Sequence, residues 1–441
     1  MPSSKSAPPR IVIVGGGAGG LELATRLGDS LGRRGRAEVT LVERSRSHLW
    51  KPLLHQAAAG TLGVDDQALS YLEQSSRHHF AYRLGAMDGL DRAHRLVRIA
   101  PTLDADGREM VPRRSVGYDI LVIAVGSRSH DFGTPGVAEH AIALDTPAQA
   151  RLFQRRLLDA CIAAQTHPTV QRQGQLEVVI IGGGATGVEL AAELWRARRA
   201  LAAYGLDDLG PGRHVRVSLL EAAARLLPPL SPRLSRAAAA ALQRLGVQVH
   251  TGTRVTEVRA DGVATADGGF HAAELVVWAA GIQAPPVLRA LDGLETNGIN
   301  QLLVGDTLQT TRDPCIYAFG DCAACRWPGH DVAVPPRAQA AHQQAALLAA
   351  QIPRHLAGSE PLRFRYRDFG SLVSLGGAGA VGTLMGGLSR GSLFVEGRIA
   401  RLAYWSLARR HLWALHGFWR TLLLTLAHAL RRGTEPRVKL H

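Results

Sequence analysis

IVIVGGGAGG at residues 11–20 and VVIIGGGATG at residues 178–187 decide the fold. Each is a run of apolar β-formers that closes on a glycine-rich turn. Each spells G-x-G-x-x-G, with Gly15, Gly17 and Gly20 in the first copy and Gly182, Gly184 and Gly187 in the second. The pattern has a mechanism at every position. The first glycine permits a tight strand-to-helix turn, the second lets a pyrophosphate approach the backbone, and the third lets helix and strand pack closely. Free N–H groups at the start of the following helix then hold the phosphates. Two such units, each with its strand and amphipathic helix, predict an α/β chain with two Rossmann-like dinucleotide-binding domains.

Acidic residues support both units. VTLVERS (39–45) reads as the second strand of the first unit and ends at Glu43, and VSLLEAA (217–223) does the same for the second and ends at Glu221. A carboxylate at that strand end accepts hydrogen bonds from an adenosine ribose and repels a 2′-phosphate. The spacing from Gly20 to Glu43 is close to the usual ~20 residues. That from Gly187 to Glu221 is longer, and residues 196–214 read as a helix extension plus a loop that takes up the excess.

At 441 residues the chain has room for two or three domains. Its formal charge of +14 comes almost wholly from arginine, with lysine only at Lys5, Lys51 and Lys439. Such a balance points to an anionic partner. Nucleic acid is disfavoured, because no binding module is present and aromatic residues are few. Residues 1–10 are a polar tail with no signal-peptide character. No apolar run approaches the ~18 residues that span a bilayer, so the chain is expected to stay on the cytoplasmic side. Four cysteines, Cys161, Cys315, Cys322 and Cys325, are too few for a disulfide framework. Cys322 and Cys325 form C-x-x-C, read as structural; no second such pair completes a zinc site, and no metal is expected.

Residues 10–145 read as the first nucleotide domain and 146–300 as the second. Residues 301–370 return to the first domain, and 371–441 form a separate C-terminal region. In that region Trp405, Leu412, Leu415, Trp419, Leu422, Leu423, Leu426 and Leu430 share one side of a helical wheel, while Arg409, Arg410, Arg420, Arg431 and Arg432 lie outside it. From residue 397 onward there are nine Arg/Lys and one acid, Glu435. Tryptophan beside arginine on a leucine stripe suits a helix lying in the headgroup plane of anionic lipid. Packing on the protein's own core or in a homodimer is the other use of such a stripe. Gly417 is expected to break the helix in two.

The two fingerprints, the strand end IYAFGDC (316–322) and the basic tail together resemble the type II NADH:quinone oxidoreductases, flavoproteins with two glutathione-reductase-like domains. The resemblance covers nearly the whole chain after residue 10. HLWKPLLHQAAAG (48–60) resembles the family's stretch beside the flavin, VVWAAGI (276–282) its second-domain ending, and AQAAHQQA (338–345) its quinone-site helix. The resemblance implies non-covalent FAD in the first cradle, on Gly15, Gly16, Gly17, Ala18, Gly19 and Gly20, with Glu43, Arg44, Asp321 and Ala341 beside it. It implies NADH on Gly182, Gly184 and Gly187, with Glu221 and Gly281. Glu189, just past the second fingerprint, would stand near the nicotinamide and relay a proton, whereas Glu193 one turn on is read as too far. Gln339, His342 and Gln343 would line the quinone site, with a structural histidine the other reading of His342.

The implied reaction passes electrons from NADH through one flavin to a membrane quinone without pumping protons, on a peripheral protein of the cytoplasmic membrane face. The chain departs from the family's A-T-G strand end at Ala124–Gly126, where Val125 replaces the threonine. Alternatives are a soluble reductase of the ferredoxin-reductase or sulfide:quinone reductase type, or a non-catalytic nucleotide-sensing membrane protein.

Overall fold

The computed structural model describes residues 7–166, 176–204, 215–376, 379–385 and 392–431. In chain order β1 (Arg10–Val14), α1 (Ala18–Ser30), β2 (Glu38–Glu43), α2 (Leu54–Ala58), β3 (Ala81–Leu84) and β4 (Ile120–Ile123) come first. They are followed by β5 (Ala141–Ala143), α3 (Pro147–Thr166), β6 (Glu177–Ile181), α4 (Ala185–Ala203), β7 (Arg216–Glu221), α5 (Pro232–Arg244), β8 (Gln248–Thr251) and β9 (Leu275–Trp278). Then come β10 (Asp313–Ala318), α6 (Ala338–Leu356), β11 (Gly370–Ser374), β12 (Ala380–Met385), β13 (Ser392–Glu396), α7 (Gly397–His416) and α8 (Phe418–Arg431).

The chain divides into two compact units. The first comprises Met1–Trp50, Ala68–Arg128 and Ile282–Asp368, and the second Lys51–Gln67, Ser129–Gly281 and Phe369–His441. In the first, five parallel strands lie in the order β10-β4-β1-β2-β3, with Ile13 opposite Leu41 and Val122 opposite Tyr317. Ile11, Val12, Ile13 and Val14 are all buried, as a strand covered on both faces requires. Helices α1 and α6 pack against each other. Residues 87–91, 96–99 and 114–117 form a small antiparallel sheet.

The second unit repeats the plan, with parallel strands in the order β5-β9-β6-β7-β8 and Ile180 opposite both Leu219 and Val277. It too carries a three-stranded antiparallel sheet, at 255–259, 262–265 and 270–272. The duplicated fingerprint is thus matched by a duplicated architecture.

The partition departs from the sequence boundaries in four places. The expected crossing at 145/146 falls at 128/129, because β5 is an edge strand of the second sheet, paired with β9. The expected end at 300 falls at 281. Residues 51–67, expected in the first domain, belong to the second unit, where α2 packs on α3 and α4.

Residues 371–441 are likewise part of the second unit rather than a region apart. Strands β11, β12 and β13 form an antiparallel sheet, α7 packs on it and α4 meets β11. The break between α7 and α8 falls at Gly417, whose φ of 75° is the left-handed conformation that glycine tolerates best. The apolar stripe is divided. Leu415 turns inward at 1% exposure, while Trp419 (75%), Leu423 (67%) and Leu430 (79%) face outward on α8. Arg432 and Glu435 lie outside the described residues, and the side chains of Trp405 and Arg431 outside those described. No helix among the described residues is long and apolar enough to cross a membrane.

Candidate functional site

The two glycine cradles have the same geometry. Gly15 and Gly182 turn at φ of 103° and 109°, and a Cβ on either would strike the backbone of the neighbouring strand's end, at Ala124 and Ala279. A Cβ on Gly20 would lie 1.9 Å from the Gly15 oxygen, and one on Gly187 2.0 Å from that of Gly182. The middle glycines, Gly17 and Gly184, face open space. Two positions are therefore closed by the fold itself, and one is left open for a ligand. Gly17 and Gly184 are also the N-caps of α1 and α4, with no capping side chain and no acid in the first turn. The orphan N–H groups of both helix starts are left available to an anion.

Each cradle is braced by its carboxylate. Glu43 accepts from the Gly16 N–H at 2.7 Å and the Ser45 N–H at 3.0 Å. Glu221 accepts from Gly183 at 2.6 Å and Ala223 at 2.7 Å. A carboxylate has about four lone-pair sites, so each keeps capacity for ribose hydroxyls. Further packing fixes the first cradle. The Gly16 carbonyl accepts from the Tyr71 hydroxyl at 2.7 Å and lies 3.0 Å from His48 Nδ1. Burial holds His48 down to about 4, so it is neutral at physiological pH. Gly19 leaves room for the Phe319 ring and lies under the Ala341 carbonyl, which carries α6 against the start of α1, where Ala18 is the first residue. Arg44 is exposed.

Asp321 follows β10. Its carboxylate accepts from the Ser127 hydroxyl at 2.8 Å, and its carbonyl from the Gln301 amide at 3.0 Å. On α6, Gln339 donates to Asp368 at 3.1 Å, and Gln343 exchanges both its amide groups with the Arg367 backbone, at 2.8 and 3.0 Å. Both glutamines thus serve the segment before β11. His342 points the other way and pairs with Glu22 of α1. Burial would raise the Glu22 carboxyl, but the hydrogen bond and charge of His342, with Arg26, hold it below its ordinary value. This contact gives His342 a structural task in joining α6 to α1. Gly281 accepts from His130 at 3.4 Å, and a Cβ there would strike the Phe132 ring, so this glycine is required by packing.

Glu189 sits in the second unit, buried at 7% exposure. Its Oε1 accepts from the Ser374 N–H at 3.0 Å, and its Oε2 lies 3.4 Å from His55 Nδ1. The buried Tyr404 hydroxyl of α7 forms no well-aligned hydrogen bond, but stands near enough to favour the carboxylate. Burial dominates and, with the nearby Glu193, pushes Glu189 up to about 8. His55 offers no compensating charge, since burial holds it down to about 3. Glu189 is therefore a carboxylic acid poised to give up a proton near neutral pH.

Sequence reasoning set Glu193 aside as too far and missed His55, Thr61, Ser374 and Tyr404. His55 lay within the stretch resembling the flavin-side segment, and the i,i+4 spacing of Glu189 and Glu193 was a signal that both share a helix face. The C-x-x-C pair is held in the thiol form: burial pushes Cys322 up to about 12 and Cys325 up to about 11.

Residues 9–345 match the pyridine nucleotide-disulphide oxidoreductase family. The chain is 44% identical to the type II NADH:quinone oxidoreductase of Haemophilus influenzae, over 98% of this chain and 99% of that protein. It is 31% identical to the type II NADH:quinone oxidoreductase Ndh of Mycobacterium tuberculosis, over 95% and 87%. The fold superposes on NDH2 of Plasmodium falciparum in complex with NADH, with a TM-score of 0.82 at 18% identity over 98% and 99% of the two chains. The sulfide:quinone oxidoreductase of Aquifex aeolicus shares the fold more distantly, at a TM-score of 0.71 and 17% identity. With its paired cradles, its buried acid at Glu189 and these relatives, the chain belongs to the pyridine nucleotide-disulphide oxidoreductase family and, within it, to the type II NADH:quinone oxidoreductases.

Proposed function

We propose that this protein oxidises NADH and reduces a membrane quinone through FAD, as a peripheral protein of the cytoplasmic membrane face. The observation that carries the reading is the doubled cradle. Gly17 and Gly184 alone among the fingerprint's three required glycines stand open, each at an uncapped helix start with a braced carboxylate beside it. The first cradle would hold FAD, the N–H groups of Gly17 to Gly20 taking the pyrophosphate, Glu43 the ribose and Asp321 the ribityl side. NADH fits the second, with Glu221 on its ribose. Bound flavin supplies the two-electron chemistry that connects the substrates.

The protein's own share is orientation and proton supply. Glu189, kept protonated by burial, is the group that supplies a proton to the acceptor oxygen. Gln339 and Gln343, on one side of α6, are assigned to the acceptor site. The outward face of α8, carrying Trp419, Leu423 and Leu430, suits the headgroup layer where a long-tailed quinone resides. Glu221 would oppose a 2′-phosphate, so NADH is expected to be preferred over NADPH. The test is steady-state oxidation of both nucleotides with a soluble quinone. A yellow protein with a clearly higher kcat/KM for NADH is expected. A colourless protein, or equal kcat/KM for the two nucleotides, defeats the reading.

A further inference from the structure

Glu189 is not alone in the interior of the second unit. Glu193 lies one helical turn further along α4 and is the more deeply buried of the two, at 2% exposure. Side chains four apart on a helix are neighbours, about 5–6 Å between Cβ atoms. Two acids so placed in a dry interior are costly, and such a pair calls for a reason. Their surroundings are graded. The groups facing Glu189 are the Ser374 N–H, the neutral His55 ring and the Tyr404 hydroxyl, with the Glu193 carboxyl group close by. Glu193 accepts from the Thr61 hydroxyl at 2.9 Å and lies 3.8 Å from Nη1 of Arg196, whose side chain is 49% exposed. A Cβ on Gly376, two residues past Ser374, would come 3.5 Å from Glu193 Oε1. The same two chain segments, 55–61 and 374–376, thus flank both acids, and half-exposed Arg196 connects Glu193 to the surface one helical turn further on.

We propose that Glu193 is a positioning residue for the reaction's proton, the water-side station of a two-carboxylate relay that reloads Glu189 from water past Arg196. This rests on the proposed function, whose balance is NADH + H⁺ + quinone → NAD⁺ + quinol, so each turnover draws one proton from solvent. Glu189 gives up its proton and becomes a buried anion. That charge raises the proton affinity of its neighbour, because two close carboxylates do not ionise independently. Glu193 takes a proton from water and hands it inward, and both acids return to their starting states. The Thr61 hydroxyl holds Glu193 in register, and Arg196 keeps the outer end polar without burying a full ion pair.

The test uses the full-length holoenzyme with Glu193→Gln and Glu193→Asp, following each half-reaction by stopped flow. Positioned proton transfer typically contributes ~10²–10⁴ in rate. Glu193→Gln should therefore leave flavin reduction by NADH within about twofold and slow reoxidation by a soluble quinone on the order of 100-fold. The slowing should deepen as pH rises, and the solvent deuterium isotope effect should increase. Glu193→Asp should recover most of the rate. Thr61→Val, which keeps both acids, should shift the pH profile in the same direction and serves if the glutamine variant folds poorly. An unchanged pH profile and isotope effect in the variants, with wild-type turnover intact, overturns the relay alone. Absence of quinone-dependent turnover in the wild type overturns the functional reading, and the relay with it.

Discussion

Glu189 shows how one residue sets a stability cost against a function. Burial raises its carboxyl from an ordinary 4.5 to about 8 in the folded protein. The sign follows from linkage. Below the unfolded value both states hold the proton, and the group costs nothing. As pH rises from there toward the folded value, the unfolded chain releases its proton while the folded one keeps it, so stability falls through that window. The slope is about 1.4 kcal/mol per pH unit for one group. Glu189→Gln removes the penalty. Its thermal midpoint should decline less steeply than the wild type's between about pH 5 and about pH 8, while its reoxidation by quinone slows and its flavin content stays whole. Parallel midpoints across that range would mean that the buried acid is ionised at neutral pH, which denies it a protonated resting state. The same residue also marks what sequence can show. Its position after the fingerprint was legible, but the environment that shifts it was not, because Ser374 and Tyr404 arrive from β11 and α7 far along the chain.

The elements divide by the same criterion. Strands β1, β2, β6 and β7 and helices α1 and α4 were legible, since period, glycine turn and strand-end carboxylate all lie within one local stretch. The place of residues 51–67 was not. Nothing within KPLLHQAAAG says that α2 will pack on α3 and α4, whose sequences come far downstream. Helices α7 and α8 were legible as an amphipathic pair broken at Gly417, yet the wheel could not tell which leucines turn inward. The structure gives Leu415 to the interior and Trp419, Leu423 and Leu430 to the outside. If that outer face is what meets lipid, Trp419→Glu with Leu423→Glu should abolish flotation with liposomes. A large apolar side chain contributes ~1.5–3 kcal/mol when fully buried. Two half-inserted ones then add about 1.5–3 kcal/mol, roughly a 10- to 100-fold change in partitioning at 1.4 kcal/mol per tenfold. Turnover with a short soluble quinone should stay within about twofold. Undiminished flotation of the double variant would assign the face to protein contacts, with a second copy as the leading occupant.

At the scale of the whole molecule, the excess of 14 positive charges rests on arginine, with only three lysines in the chain. Arginine stays protonated at any physiological pH, so this charge is a permanent feature. Part of it is anchored in the C-terminal helices, where Arg409 donates to Thr425 at 3.0 Å and Arg410 lies over the Phe369 ring. The first contact ties α7 to α8, and both hold their guanidinium groups in place. Attraction to an anionic surface is worth about 1 kcal/mol per basic residue near it and acts within a Debye length, about 10 Å at 0.1 M salt and about 3 Å at 1 M. Binding to vesicles containing anionic lipid should therefore weaken steeply as salt is raised, and change little between about pH 6 and about pH 9, where arginine does not titrate. On neutral vesicles the salt dependence should vanish and only the apolar contribution of α8 remain. Co-sedimentation across salt and lipid charge measures both terms. Equal, salt-insensitive binding to the two kinds of vesicle would show that the charge excess serves some other anionic partner, and that α8 alone carries the membrane contact.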